Sequence, residues 1–84
     1  MRPMKVRLLF FAVLRDIAGT DVRELSVAEG TTAREVWQGL RDAYAQLADY
    51  TQPPMIAVNE SYAAPETVLR EGDELAFIPP VAGG

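Results

Sequence analysis

The chain has 84 residues, of which 49% are hydrophobic and 24% are charged, a composition typical of one globular domain with a single small core. Its net charge of −4, without a run of basic residues, disfavours nucleic acid and anionic membranes as partners. It has no Cys and no His, which excludes Cys–His and Ser–His nucleophile pairs, zinc fingers, and haem or iron–sulfur ligation.

The first predicted element is a strand over residues 5–11, in which alternate side chains point to opposite faces. The apolar run at 8–14 resembles the core of a signal peptide. However, the run has only seven residues, and Arg15 and Asp16 follow it without a cleavage-site pattern. We therefore expect a structural segment in a cytoplasmic protein, as the lack of disulfides also favours. The inward residues are Val6, Leu8 and Phe10, and the outward ones are Lys5, Arg7, Leu9 and Phe11.

A short helical turn is predicted to end at Gly19, before a second strand over residues 22–27. The main helix follows, because Thr32 and Glu35 have the spacing of a capping box and apolar residues recur at helical intervals up to Ala48. We interpret Trp37 and Tyr44 on this apolar stripe as core anchors rather than ligand contacts.

The last third of the chain predicts three short strands. Residues 55–58 form the first, and Asn59 and Glu60 predict a hairpin turn into the second at 62–63. Residues 71–73 reverse the chain into a final strand over 74–79. Leu75 and Phe77 are expected to point inward from this strand, with Ala76 and Ile78 pointing outward.

This order of elements predicts an α+β fold with a mixed sheet and one main helix packed on one face. The first and last strands are expected to be neighbours in the middle of the sheet. This is the ubiquitin-like β-grasp arrangement, expected to span residues 1–79. Residues 80–84 are predicted to protrude as a C-terminal tail, and they are Pro80, Val81, Ala82, Gly83 and Gly84.

The tail is the best candidate for chemistry. Gly83 and Gly84 lack side chains and could enter a channel too narrow for a Cβ, while Pro79 and Pro80 favour an extended path away from the sheet. The carboxylate of Gly84 is a poor electrophile, so a partner would have to activate it with ATP as an acyl-adenylate. Such an adenylate could accept sulfur or a lysine amine. The alternative for a lone diglycine is a frayed terminus without a function.

Three separated blocks support a more specific interpretation: residues 9–16 with Gly19, residues 57–59, and residues 71–81 followed by Gly83 and Gly84. In this order they resemble the small subunit of molybdopterin synthase, a family of ubiquitin-like sulfur carriers, over essentially the whole chain. The front block and the Pro-Pro-Val-x-Gly-Gly ending fit this family better than the thiamine-pathway carrier, which shares the fold and the diglycine.

The resemblance implies that an enzyme related to the ubiquitin activators adenylates Gly84, and that the product becomes a thiocarboxylate. Its sulfur would pass to cyclic pyranopterin monophosphate and build the dithiolene of the molybdenum cofactor. The catalytic side chains would belong to the large synthase subunit, in a heterotetramer of two small and two large subunits. This chain would bind no cofactor or metal, since only the activating partner would use ATP.

The strand pattern also predicts a partner interface near the tail. Phe11 and Ile78 are outward apolar residues, and Tyr62 is expected to join them across the sheet. The resemblance implies that the same positions meet the partners. The alternative for Phe11 is that the chain's own loops cover it. We interpret the acidic residues as turn formers and solvated surface rather than as a metal site.

Other functions with the same fold remain open. The chain could carry sulfur for thiamine, cysteine or tRNA thiolation, or it could be a ubiquitin-like modifier joined to lysines through Gly84. It could also be a plain interaction module, for which the tail would be dispensable.

Overall fold

The computed structural model describes residues 3–11, 13–47 and 54–78. The described strands form one mixed sheet in the order β2, β1, β5, β3, β4, in which β1 and β5 are parallel and the other neighbours antiparallel. The predicted β-grasp arrangement is confirmed, with the first and last strands paired at its centre. The elements are β1 (Pro3–Phe10), α1 (Val13–Ala18), β2 (Val22–Ala28), α2 (Ala33–Ala43), a 3₁₀ helix (Ala45–Leu47), β3 (Met55–Val58), β4 (Ser61–Tyr62) and β5 (Glu74–Ile78).

The core lies between helix α2 and one face of the sheet. The predicted inward residues of β1 are buried, as are Leu75 and Phe77 of β5. Trp37 of α2 is 3% exposed, and its ring centroid lies 5.2 Å from that of Phe77 at a tilt of 48°. This tilted aromatic pair joins the helix to the central strand, so Trp37 is the predicted core anchor. The other side of the sheet, which we call the open face, carries the outward residues of the strands.

Helix α2 begins where predicted. The Thr32 hydroxyl accepts a hydrogen bond from the backbone N–H of Glu35 at 3.2 Å, and the Glu35 carboxylate accepts one from the N–H of Thr32 at 2.9 Å. This reciprocal pair is the predicted capping box, and it satisfies two N–H groups that the first turn leaves unpaired.

The predicted continuation of α2 to Ala48 is wrong. The helix ends at Ala43, because Tyr44 adopts an extended conformation with φ −121° and ψ 108°. The following 3₁₀ turn still buries Leu47, so the apolar spacing is satisfied without further α-helix. Tyr44 is half-buried and packs against the core as predicted, and its hydroxyl accepts a hydrogen bond of 2.8 Å from the Arg23 guanidinium.

The remaining differences are small. β1 begins at Pro3 and ends at Phe10, and the short strand β4 covers Ser61–Tyr62 instead of residues 62–63. The predicted end of β5 at Pro79 lies outside the described residues, as do Ala48 and the tail. In the parts of the chain that the structure describes, no helix is long and apolar enough to cross a membrane.

Candidate functional site

The parallel pairing of β1 with β5 brings the carboxyl ends of both strands to the same edge of the sheet. Leu9 pairs with Ala76 and Phe10 with Phe77. The residue after Phe10 is Phe11, which directly follows β1, and the residue after Phe77 is Ile78, which ends β5. The pairing therefore brings Phe11 and Ile78 close together on the open face. Phe11 is held at the junction with α1, where its carbonyl accepts a hydrogen bond of 3.0 Å from the N–H of Leu14.

Strand β3 extends this surface on the other side of β5. Met55 pairs with Ile78, and Ala57 pairs with both Ala76 of β5 and Tyr62 of β4. Paired residues of neighbouring strands point to the same face, so all of these side chains lie on the open face. Three strands therefore bring apolar side chains to the sheet edge at which β5 ends.

A depression of about 310 Å³ lies among these side chains. It brings together Phe11, Tyr62 and Ile78, the three residues predicted as a partner interface. Phe11 is 46% exposed, so the chain's own described loops do not cover it. That these residues contact a partner stays a prediction. The lining residues are Leu9, Phe11, Ala57, Glu60, Tyr62, Glu74, Ala76 and Ile78.

Exposed apolar side chains are concentrated on this face. Among the described residues, the large hydrophobic side chains that are exposed are Phe11, Val22, Met55, Tyr62 and Val68. All except Val68 belong to the open face, since Val22 pairs with Leu9 across β1 and β2. Tyr62 is 73% exposed. Exposed apolar patches of this kind are typical of surfaces that bind another molecule.

Sequence reasoning missed the floor of the depression and an exposed apolar residue, Met55, on the same face. Ala76 was expected to point outward, and it does, but it is only 7% exposed because β5 is the central strand and Leu9 and Ala57 flank it. Met55 was assigned to a strand but not to the interface. Its pairing with Ile78 follows from the β3–β5 register, which alternation within a single strand does not give.

The hairpin turn after β3 positions Tyr62. Asn59 and Glu60 have φ values of 52° and 70°, the left-handed conformation that a two-residue hairpin turn requires. The Asn59 side chain also joins the hairpin to the start of β5. Its Nδ2 donates to Asp73 Oδ1 at 2.9 Å, and its Oδ1 accepts from the N–H of Glu74 at 3.0 Å. Tyr62 therefore follows a turn that is fixed to the central strand.

Replacing Asn59 is expected to loosen this connection. Asn59→Ala should lower the free energy of unfolding by about 2 kcal/mol, because Ala loses both side-chain hydrogen bonds and disfavours a positive φ. Asn59→Gly tolerates the positive φ and loses only the hydrogen bonds, so it should cost about 1 kcal/mol. Urea unfolding measures both values. A loss smaller than about 0.5 kcal/mol for Asn59→Ala would show that the connection contributes little.

Charged residues extend along the open face from Glu74, at the rim of the depression, to Glu24 of β2, and they pair with one another. Arg7 lies 3.7 Å from Glu74, and Lys5 lies 3.9 Å from Glu24. Exposed pairs of this kind add little stability. Within residues 3–11, 13–47 and 54–78, no group of three or more Asp or Glu residues could hold a metal ion. Asp73 instead accepts a hydrogen bond from the N–H of Arg70 at 2.8 Å, which agrees with the predicted turn role.

The predicted reactive residue, Gly84, lies outside the described residues, as do the other residues of the predicted tail, Pro80, Val81, Ala82 and Gly83. Ile78, the last described residue, lines the depression. Since Gly84 follows Ile78 by six residues, covalent geometry alone places it within about 22 Å of that side chain. A molecule that covers the depression therefore contacts the residue after which the tail begins in the sequence.

Comparison with known proteins finds relatives that match this chain over most of its length. A profile described as the ThiS family matches residues 8–84. The molybdopterin synthase sulfur carrier subunit of Mycobacterium tuberculosis is 40% identical over 82 residues, which covers 96% of this chain and 99% of that protein. The protein of the same name from Escherichia coli K12 is 36% identical over 81 residues, or 94% of this chain and 99% of that protein.

Solved structures share the fold. The crystal structure of small archaeal modifier protein 1 from Haloferax volcanii superposes with a TM-score of 0.79 at 26% sequence identity. The match covers 93% of this chain and 99% of that chain. The similarity therefore extends over nearly the whole of both chains.

Proposed function

The chain belongs to the ThiS family, and on that premise we propose that it is the sulfur carrier subunit of a molybdopterin synthase. Gly84 provides the reacting carboxylate, and the open face provides the surface on which partners are bound. The observation that carries the proposal is the position of the apolar depression where β5 ends, immediately before the residues that lead to the diglycine.

The chemistry takes place on the carboxylate of Gly84. One of its oxygens attacks the α-phosphorus of ATP in an activating enzyme, which releases pyrophosphate and leaves an acyl-adenylate. Hydrosulfide, or the terminal sulfur of a persulfide, then displaces AMP. The persulfide gives an acyl disulfide, which a thiol reduces to the thiocarboxylate while the two thiols become a disulfide. The thiocarboxylate sulfur then bonds to a carbon of cyclic pyranopterin monophosphate in place of a C–O bond, and water cleaves the resulting thioester to a pterin thiol and the Gly84 carboxylate. None of these steps requires a thiol or an imidazole from this chain, which has neither.

The open face explains how such a chain is held by its partners. Phe11, Tyr62 and Ile78 offer an apolar surface around the depression, with carboxylates of Glu60 and Glu74 at its rim. A partner with an apolar projection and basic groups around it complements this surface. When it covers the depression, the tail can reach a channel in the same partner.

We assign two partners to this face. One is the large synthase subunit, which provides the catalytic side chains and the pterin site, and two copies of each subunit form a heterotetramer. The other is an adenylating enzyme related to the ubiquitin activators, which uses ATP. The chain itself takes no cofactor in this scheme. Both partners require the tail, so they bind in turn.

The proposal is tested by the mass of the chain after incubation with the activating enzyme, ATP and a sulfur donor. Sulfur in place of oxygen adds nearly the same mass as the oxidation of Met1, Met4 or Met55, so an alkylating agent is added. The chain has no Cys, and a thiocarboxylate is therefore the expected site of alkylation. We expect a single label that fragment analysis assigns to Gly84.

Two controls make this experiment decisive. Omitting ATP should prevent labelling, because the carboxylate is not activated without it. Omitting the sulfur donor should leave an adenylate that hydrolyses without acquiring a label. An unlabelled Gly84 in the complete reaction, with an enzyme shown to be active on another carrier, would contradict the proposal.

The second candidate is a protein modifier. It is favoured by the structural match to small archaeal modifier protein 1, whose name gives that role to the archaeal protein. In this case the adenylate of Gly84 would react with a lysine amine and form an amide. Conjugates of higher mass that survive reductant would support this function. Carriers for thiamine, cysteine or tRNA thiolation would use the same tail, and they differ in the acceptor of the sulfur.

A further inference from the structure

Strand β2 lies at the edge of the sheet, and within the described residues it pairs with β1 alone. The N–H of Phe10 donates to the carbonyl of Asp21 at 2.9 Å, which fixes the alternation of the antiparallel ladder. The backbone groups of Arg23, Leu25 and Val27 therefore point toward β1. Those of the intervening residues, Val22, Glu24, Ser26 and Ala28, point away from the sheet.

At both ends of this outer edge, a threonine side chain already hydrogen-bonds to a backbone carbonyl of β2. The Thr20 hydroxyl donates to the carbonyl of Val22 at 2.9 Å, and the Thr31 hydroxyl donates to the carbonyl of Ala28 at 2.6 Å. Between them, the outward N–H and C=O groups of Glu24 and Ser26 have no hydrogen-bond partner in the part of the chain that the structure describes. The edge thus offers a short, bounded stretch of unpaired backbone.

A groove of about 290 Å³ runs beside this edge, between β2 and helix α2. Leu25 and Val27 line it from the strand, and Val36 and Leu40 line it from the helix. Gly39 leaves the helix side open, since a Cβ placed there would meet no atom within 4 Å. The groove lies on the helix side of the sheet, so it is separate from the depression on the open face.

Charge distinguishes the two ends of the groove. Arg23 lies at one end, where one guanidinium nitrogen donates to the Tyr44 hydroxyl and no described carboxylate lies within ion-pair distance. Glu35 lies at the other end, and its carboxylate is occupied by the capping box. A guanidinium has five N–H donors, so Arg23 retains donors for a carboxylate from outside.

We propose that the edge of β2 and this groove bind an extended segment of a partner protein by β-strand addition. The segment hydrogen-bonds to the backbone of Glu24 and Ser26, and its alternate aliphatic side chains enter the groove. An acidic residue of the segment pairs with Arg23. Because this site shares no residue with the depression on the open face, the chain can hold such a partner while the depression is occupied.

The test uses the full chain labelled with ¹⁵N and two short synthetic peptides. Both have Val and Ile at alternate positions, and one carries Asp at each end where the other carries Lys. We expect saturable chemical-shift changes at the amides of Glu24, Ser26 and Gly39, and slower hydrogen exchange at Glu24 and Ser26. The Asp peptide should bind about tenfold more tightly, and Arg23→Ala should remove this difference.

Two variants separate the edge from the groove. Ser26→Pro removes an outward N–H without removing a hydrogen bond to β1, and Gly39→Leu fills the groove while favouring the helix. Each should weaken binding of the Asp peptide by about tenfold or more. Tyr62→Asp on the open face is the matched control and should bind as the parent chain does. If Ser26→Pro fails to fold, the affinity of Gly39→Leu for the Asp peptide tests the proposal by itself.

Three results would overturn the proposal. The first is an affinity unchanged in Gly39→Leu, and the second is a set of shift changes confined to the residues that line the depression. The third is the absence of saturable peptide binding. This result would count against the proposal whether or not the chain self-associates through β2 as its concentration rises.

Discussion

Removal of Gly83 and Gly84 is expected to abolish sulfur transfer completely while leaving the fold intact. The terminal carboxylate would then belong to Ala82, whose Cβ would not fit the narrow partner channel expected for the diglycine, and the tail would be two residues shorter. The described sheet ends at Ile78, so no described strand loses a residue. Formation of molybdopterin by the purified partners measures the activity, and urea unfolding measures the stability.

A graded variant tests the reason for this loss. Gly84→Ala keeps the length of the tail and the carboxylate but adds a Cβ, so we expect a large but incomplete loss of transfer. The unfolding midpoint of both variants should match that of the parent chain. Transfer at the parent rate by the truncated chain would exclude Gly84 as the sulfur carrier and would favour a plain interaction module.

The second large effect is expected on the open face. The double substitution Phe11→Asp and Tyr62→Asp places two carboxylates where a partner is proposed to bury apolar side chains. Buried aromatic residues at an interface each contribute about 2 kcal/mol or more, so affinity for the large subunit should fall by about 100-fold or more. Both side chains are already largely exposed, so the free energy of unfolding should change by less than about 1 kcal/mol.

Val68 provides the matched control for this experiment. It is 54% exposed, comparable with Phe11, but it bridges to Thr32 at the start of α2 and does not line the depression. Val68→Asp should therefore leave affinity unchanged in isothermal titration calorimetry. An equal loss in both variants would mean that added charge, rather than the open face, decides binding.

Local patterns were sufficient to predict most of the fold. The alternation in β1, the capping box at Thr32 and the turn at Asn59 and Glu60 each depend on neighbours in the sequence, and the structure confirms all three. The end of α2 could not be predicted in this way. Leu47 is buried whether the chain continues as an α-helix or tightens into a 3₁₀ turn, so its spacing does not distinguish the two.

The candidate site was predicted in outline but not in detail. Alternation placed Phe11 and Ile78 outward, and the expected pairing of the first and last strands brought them together. The burial of Ala76 and the place of Met55 depend on the register between β3 and β5, which joins segments about 20 residues apart. The unpaired edge of β2 likewise follows from one interstrand hydrogen bond, between Phe10 and Asp21, that composition does not reveal.

The parallel pairing of β1 and β5 also decides where the protein can be labelled. β1 runs toward the depression, so Pro3 lies at the opposite end of the strand from Phe10, about 23 Å away. An affinity tag or a fluorophore fused ahead of Met1 is therefore attached two residues before Pro3, at the end of β1 that lies far from the depression. A tag after Gly84 would convert the carboxylate into an amide and remove the group on which the proposed sulfur transfer depends. The amino terminus is thus the suitable attachment point for immobilisation, fluorescence and pull-down experiments on the active carrier.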